Sequence, residues 1–318
     1  MISRLFKFLK DWTLPISMLS GVVGYFLYVN IHAFDGTHAF MNEFISIFQP
    51  ILLFCMLFVS FCKVHPKELR PMGWMLKPLC IQCLSFILIG ALIAVFPEIK
   101  GRVVLEAFIV CMICPTATAA SVVTSKLHGS ASVVVSYTVL INFAASIVIP
   151  SVVPFMHEVG GKDMTFFTSF SLIIGKVFPL LIMPLLLAWF VRFLLPGLHA
   201  KILKCKDFAF YLWAVALALA IAVTVKAIVH SDEGILELVG VAVASLVSCL
   251  IQFYLGHVIG RHHGYTIEGT QSFGQKNTVF AIWMAYTFMN PVTAMAGGFY
   301  SVWHNVINSY QLYKERKN

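Results

Sequence analysis

Long apolar runs separated by short polar segments recur along the whole chain. Ten of them, residues 13–31, 44–62, 74–96, 104–125, 130–156, 165–195, 208–229, 235–260, 265–289 and 291–313, are long enough to cross about 30 Å of hydrocarbon as helices. Helices and closed β-barrels are the structures that satisfy the backbone inside a bilayer. A barrel needs alternating segments of about ten residues, whereas a stretch such as LLFCMLFV at 52–59 is apolar without a break. The pattern predicts an all-α polytopic membrane protein with ten transmembrane spans. Arg4, Lys7 and Lys10 precede the first run as in a signal peptide, but no A-x-A cleavage site follows Ile31, so the run reads as the first span.

Two runs are interrupted. The fourth carries Pro115-Thr-Ala-Thr-Ala-Ala-Ser121 mid-span, and the ninth carries Glu268, Gly269, Thr270, Gln271, Ser272, Gly274, Gln275, Lys276 and Asn277 before resuming as TVFAIWMAYTF. Such polar density is tolerated at membrane depth where it lines a cavity in the protein; the alternative is a polar seam between helices. Division near residue 160 gives halves of five spans, 1–160 and 161–318, with the fourth span of each half interrupted. An odd span number per half inverts the second half relative to the first. Ser136-Tyr137-Thr138-Val139-Leu140-Ile141-Asn142 in span five also resembles Tyr300-Ser301-Val302-Trp303-His304-Asn305 in span ten, each placing a hydroxyl four residues before an asparagine. Paired interruptions in inverted halves point to the central site of a secondary transporter, where half-helix N-termini attract an anion and open carbonyls hold a cation.

Composition agrees with a lipid solvent. Of 318 residues 59% are hydrophobic and 11% charged, against about 25% charged in soluble domains, and the mean hydropathy is +0.88. The formal charge of +8 fits a basic inner membrane face better than a nucleic-acid partner. With both termini inside, Arg4, Lys7, Lys10, Lys63, Lys67, Arg70, Lys126, Arg192, Lys201, Lys204, Lys206, Arg261, Lys314, Arg316 and Lys317 fall on the cytoplasmic side. Lys100, Arg102, Lys162 and Lys226 fall outside, and Lys77, Lys176 and Lys276 lie within spans. Lys77 is near enough to the inner face to snorkel.

The pairs Cys80/Cys83 and Cys111/Cys114 have the C-x-x-C spacing of metal or redox sites, but both sit in apolar runs where Cys acts as a small hydrophobe. His262–His263 falls in a short turn. Glu106, Glu237 and Glu268 have no His or Asp at usable spacing, so no enzymatic acid/base or metal constellation is expected, and the short C-terminus argues against an added signalling domain. A non-transporting membrane sensor is the remaining alternative of another class.

The chain resembles the bile acid:sodium symporter family and its wider bile/arsenite/riboflavin transporter superfamily. The resemblance rests on Cys114-Pro115-Thr116-Ala117-Thr118-Ala119-Ala120-Ser121, similar to the family's C-P-G-G-T-x-S-N; on Gly274-Gln275-Lys276-Asn277-Thr278, similar to G-x-Q-N-S; on Phe299-Tyr300-Ser301-Val302-Trp303-His304-Asn305, similar to F-S-V-W-H-N; and on Pro184 to Arg192, similar to P-x-L-x-G-x-x-x-R. It implies a core of spans three to five and eight to ten, with spans four and nine broken and crossing, and a panel of spans one, two, six and seven. Substrate would bind between core and panel near the crossing, with alternating access. In sodium-coupled members a glutamate and a glutamine of span nine hold one ion; here those positions fall on Ser272 and Lys276. A Ser-Asn pair of span four falls on Ala120–Ser121, one span-five hydroxyl on Val134, and the other survives as Thr138. The ion-site region thus comprises Ser121, Thr138, Gln271, Ser272, Gln275 and Lys276, with most sodium ligands absent and an ammonium in their place. Sodium coupling through a different site is the alternative.

The expected function is secondary transport of a small or medium organic anion, of bile-acid, pantoate or oxo-acid type, by a monomer in a bacterial cytoplasmic membrane, without nucleic-acid partner. Thr116, Thr118, Asn142, Lys176, Lys276, Asn277, His304 and Asn305 are the candidate substrate contacts. Lys276 would replace the bound cation, or else pair with Glu268 or a carbonyl for stability. Lys176, about 16 Å into span six and followed by Pro179 and Pro184, faces either the cleft or a neighbouring helix. His304 has packing as its alternative role.

Overall fold

The computed structural model describes residues 13–34, 36–161, 164–205 and 208–317. Arg4, Lys7, Lys10, Lys162 and Lys206 of the charge pattern lie outside the described residues. Thirteen α-helices follow one another among the described residues: α1 (Thr13–Asn30), α2 (His38–Cys62), α3 (Leu76–Val95), α4 (Arg102–Ile113), α5 (Ala119–Lys126), α6 (Ala131–Met156), α7 (Phe166–Leu194), α8 (Pro196–Lys204), α9 (Phe208–Val229), α10 (Ile235–His262), α11 (Thr266–Gly274), α12 (Thr278–Phe288) and α13 (Pro291–Lys317).

Among the described residues, six helical stretches are long and apolar enough to cross a membrane: α2, residues Gly73–Val95, α6, α7, Tyr211–Val229 and α10. Pro15–Asn30 and α12 are shorter apolar helices. The regular structure among the described residues is all-helical, and these helices fit a multi-pass membrane protein. Leu84, Leu88, Ile147, Phe190 and Leu250 point outward and are exposed, as expected of helices whose surroundings are apolar on the outside as well as the inside. The two interrupted runs are each two helices. The fourth divides into α4 and α5, and the ninth into α11 and α12. The tenth run is one 27-residue helix, α13, mixing apolar positions with His304, Asn305, Asn308 and Gln311. The structure adds α8, a short helix with Pro196 at its first turn and Lys201 and Lys204 in its last, within a segment predicted as loop. Its His199 is buried, with Nε2 2.9 Å from the Cys62 carbonyl.

α1 packs on α9, while α2 packs on α7 and α9. α3 packs on α4 and α6, and α10 on α4, α11 and α13. The main apolar core runs from Leu53, Leu57 and Phe61 of α2 through Ile109 and Ile113 of α4 to Leu181 of α7 and Phe280 of α12. A very close approach joins α10 to α11, where glycines face each other. A Cβ on Gly256 would lie 2.4 Å from the Gly269 carbonyl oxygen, and one on Gly269 2.5 Å from that of Gly256. Both contacts are to backbone, so neither can relax by a rotamer change. Gly175 of α7 has nothing within 4 Å of its would-be Cβ. Gly256→Ala should therefore destabilise the detergent-solubilised protein by about 1–3 kcal/mol, whereas Gly175→Ala should leave it unchanged or stabilise it by up to about 1 kcal/mol, both read from thermal unfolding.

Candidate functional site at the crossing of the broken helices

The break in α4 begins with Pro115, which has no N–H to close the helix onto the Cys111 carbonyl. The chain continues extended, and Thr116 forms an isolated antiparallel bridge with Lys276. Asn277 N donates to the Pro115 carbonyl (2.8 Å) and Ala117 N to that of Gln275 (3.1 Å). The two breaks thus lie against each other and share their backbone bonds. The Thr116 hydroxyl donates to the Ser272 carbonyl (2.7 Å), and the Cys114 thiol to the Asn277 carbonyl (2.9 Å). α12 restarts from Asn277, whose side chain accepts from Phe280 N (3.2 Å), as an N-cap does.

The remaining carbonyls at the breaks are met from neighbouring helices. Gln82 of α3 donates through Nε2 to the Met112 (2.7 Å) and Cys114 (3.4 Å) carbonyls, and its Oε1 accepts from the Tyr137 hydroxyl of α6. Gln252 of α10 donates through Nε2 to the Cys111 carbonyl (3.2 Å), the one that Pro115 leaves open. The Gln252 amide also lies 3.2 Å from the Tyr300 hydroxyl of α13, which donates to the Gly274 carbonyl (2.8 Å). Both glutamines therefore serve the α4 break, Gln82 with Tyr137 behind it, while Tyr300 bonds to both Gln252 and the α11 break.

Lys276 sits at the centre of this arrangement. It is 1% exposed, its Nζ has no hydrogen-bond partner, and it lies 5.3 Å from the Phe273 ring centroid. The expected alternative pairing of Lys276 with Glu268 does not form: Glu268 accepts from Ser130 N at the start of α6 (2.7 Å). The C-terminal ends of α4 and α11 both converge on the crossing, and their partial negative charge favours a cation between them.

The other candidate residues divide by location. Thr116, Ser272, Gln275, Lys276 and Asn277 are buried at the crossing, where the Ser272 hydroxyl has no partner. Gln275 donates to Gln271, which donates to Gln311 of α13 (2.5 Å). Thr118 and Ser121 are partly exposed at the start of α5, the serine hydroxyl bonded to the Thr118 carbonyl (3.1 Å). On α6, Thr138 donates to the Val134 carbonyl (2.9 Å) and Asn142 reaches the Leu181 carbonyl of α7 (3.1 Å). On α13, Asn305 bonds back to the Ser301 carbonyl (2.6 Å), and His304 stands edge-on to the Tyr300 ring at 5.6 Å. Lys176 lines a cavity of about 500 Å³ between α2, α7 and α12, with Nζ 5.8 Å from the Phe288 ring centroid. The structure thus brings together the residues of the interrupted spans and leaves Asn142, Lys176 and Asn305 engaged elsewhere.

Sequence reasoning missed Gln82 and Gln252, although an amide in an apolar run is itself a signal of a partner. It also missed the surroundings of Glu106. Spacing suggested no histidine near that carboxylate, but the fold brings His157 Nε2 to 3.0 Å, with Arg102 Nε at 2.8 Å and the Thr293 hydroxyl donating at 2.8 Å. The eight cysteines, including both C-x-x-C pairs, are free. Among the described residues no cluster of His, Cys, Asp and Glu is suited to a metal. No family model matches the chain, and no curated protein matches it.

Two outcomes test the geometry. Gln82→Leu, which strips the Met112 and Cys114 carbonyls of their donor, should cost about 1–3 kcal/mol in thermal unfolding. Lys276→Met keeps an unbranched side chain one atom shorter and removes an unpartnered charge, so it should raise the unfolding midpoint.

Proposed function

We propose that the chain is a secondary transporter of a small or medium organic anion, related to the bile acid:sodium symporter family, in which the Lys276 ammonium takes the place of a bound sodium ion. The observation that carries this reading is the burial of an unpartnered lysine between two broken, crossing helices. Burying such a charge is expensive, and at a helix crossing it does what a bound cation does elsewhere: it offsets the negative ends of α4 and α11 and attracts an anion. Ten spans follow, counting α4 with α5 and α11 with α12 as one broken span each, in two inverted halves. The core is α3 to α6 with α10 to α13, and the panel is α1, α2, α7 and α9.

Paired interactions support the inverted halves. Glu106, early in α4, accepts from Thr293 at the start of α13; Glu268, early in α11, accepts from Ser130 N before α6. Each half also brings one Gln–Tyr couple to the crossing, Gln82 with Tyr137 and Gln252 with Tyr300. The distribution of basic residues supports an orientation with both termini on the cytoplasmic side, and we place the protein in a bacterial inner membrane.

The test is uptake into proteoliposomes of labelled bile salt, pantoate and 2-oxo acid under imposed gradients. At least one of these anions should accumulate in response to a pH gradient or counter-substrate and be indifferent to sodium. Lys276→Gln should lower that uptake about tenfold or more, the effect of losing roughly 1.4 kcal/mol of interaction. Strong sodium stimulation without any pH or exchange effect would overturn the cation-replacement reading, and full activity of Lys276→Gln would remove the lysine from it.

A further inference from the structure

α8 lies across the ends of two spans rather than along one. α2 ends at Cys62, whose carbonyl receives His199 Nε2 of α8 (2.9 Å) and the Arg192 guanidinium of α7 (2.8 Å), which also donates to the Val64 carbonyl (3.1 Å). α7 ends at Leu194 and α8 starts two residues later at Pro196, so the short helix is fixed at the level where α2 and α7 both terminate. Its faces differ in chemistry. At about 100° per residue, His199 and Ile202 fall on one side, the first buried and the second packed against the main core. Lys201 and Lys204 fall on the opposite side and are exposed. Leu198 and Leu203 occupy the two flanks between, 47% and 39% exposed, and Phe193, Leu194 and Leu195 are exposed at the turn into the helix. No Asp or Glu occurs between Arg192 and Lys204. The connection that follows α2 adds Lys63, Lys67 and Arg70 against Glu68, all exposed.

We infer that α8 is an interfacial helix that binds anionic phospholipid headgroups of the adjoining leaflet, with Leu198 and Leu203 in the acyl boundary and the Lys201 and Lys204 ammonium groups on headgroup phosphates. A helix in water has no use for large apolar side chains on both flanks, and one in hydrocarbon none for two unpaired lysines. At the boundary both are satisfied, the apolar half sinking toward the chains and the lysines reaching up along their stems. Charge decides which lipid. A zwitterionic headgroup brings its own ammonium with its phosphate, whereas an anionic one offers net negative charge, and α8 has no carboxylate to neutralise its lysines. Because His199 and Arg192 already hold this corner of the fold, the helix needs no ordering when lipid binds, which removes part of the entropic cost. The inference stands apart from the transport reading: it needs only the level at which α2 and α7 end.

The experiment titrates the full-length protein, in zwitterionic mixed micelles, with NBD-labelled phosphatidylglycerol and with NBD-labelled phosphatidylcholine, read by fluorescence anisotropy. Phosphatidylglycerol should bind about tenfold or more tighter, since each lysine near an anionic lipid contributes about fivefold. The double variant Lys201→Gln/Lys204→Gln should reduce that preference to about threefold or less by weakening phosphatidylglycerol and leaving phosphatidylcholine unchanged. Lys201→Arg/Lys204→Arg should retain it, which separates loss of charge from loss of fold. Lys100→Gln, in the exposed connection between α3 and α4, should not alter it. Excess glycerol 3-phosphate, which has the phosphate without acyl chains, should not displace the labelled lipid. Equal binding of the two lipids by the wild type, or a preference that survives intact in Lys201→Gln/Lys204→Gln, would overturn the inference. Displacement by glycerol 3-phosphate would overturn it too, by making the lysines a site for a soluble phosphate. Because no arm measures transport, each result holds whether or not the protein moves an anion.

Discussion

Carbonyl and amide groups exposed by a helix break have no water to turn to at membrane depth, and each one left unpaired costs several kcal/mol. This requirement organises the rest of the molecule. Pro115 opens the Cys111 carbonyl, and the extended chain after it opens those of Met112 and Cys114. Gln252 and Gln82 close all three. To do so, α3 and α10 must flank the crossing, and Tyr137 and Tyr300 must bring α6 and α13 against them. Each break also supplies backbone partners to the other, at Asn277 to Pro115 and Ala117 to Gln275. Neither broken span could be stable in lipid without its counterpart. The close glycine contact of α10 with α11 is part of the same solution, since it lets Gln252 and the α11 terminus approach one site.

The crossing satisfies its backbone but not its lysine. The carbonyls of Cys111, Met112 and Cys114 have protein donors, while the Nζ of Lys276 has no acceptor. The ammonium is thus held by the field of the converging helix ends and the face of Phe273, interactions that act over distance without fixing a direction. A charge held in this way costs stability and retains its capacity to bond. That is the property expected of a group kept for an anion or a proton rather than for packing, and it distinguishes Lys276 from Glu268 and Glu106, whose oxygens are bonded to the protein.

What could be read in the sequence was whatever depends on neighbours along the chain. Uninterrupted apolar runs became α2, α6, α7 and α10 with small shifts at their ends, and Pro115 and the polar segment around Lys276 marked both breaks. The match of Tyr137-Thr138 with Tyr300-Ser301 also carried information, since Tyr300 bonds a carbonyl of one break and Tyr137 bonds the glutamine that serves the other. What remained hidden depends on distant partners. Gln82 meets carbonyls about thirty residues away, His157 meets Glu106 across the bundle, and Lys226 meets Asn42 of α2. Helical periodicity contains no record of such pairings. α8 escaped because a basic, nine-residue amphipathic stretch has the composition of a loop.

The distribution of polar bonds also bears on how access to the crossing would change. Arg192 and His199 tie α7 and α8 to the end of α2 through the Cys62 carbonyl, and Lys226 ties α9 to α2. A second dense set joins α3, α4, α6, α10, α11 and α13 around the breaks. Between the two sets lie the apolar side chains of the main core, bridged by the bond of Asn142 to the Leu181 carbonyl. Apolar surfaces can slide past one another with little change in energy, because dispersion attraction given up at one position is recovered at the next, whereas directional hydrogen bonds cannot shift in this way. The bonds that hold the breaks together are therefore the ones a domain movement would preserve. The seam lined by Trp283, Thr287 and Ser46, along the Lys176 cavity, is the place where it would occur. Asn142 of α6, bonded to the Leu181 carbonyl of α7, is a point between the two sets at which a polar bond would have to be exchanged, and so a step at which such a movement would meet resistance.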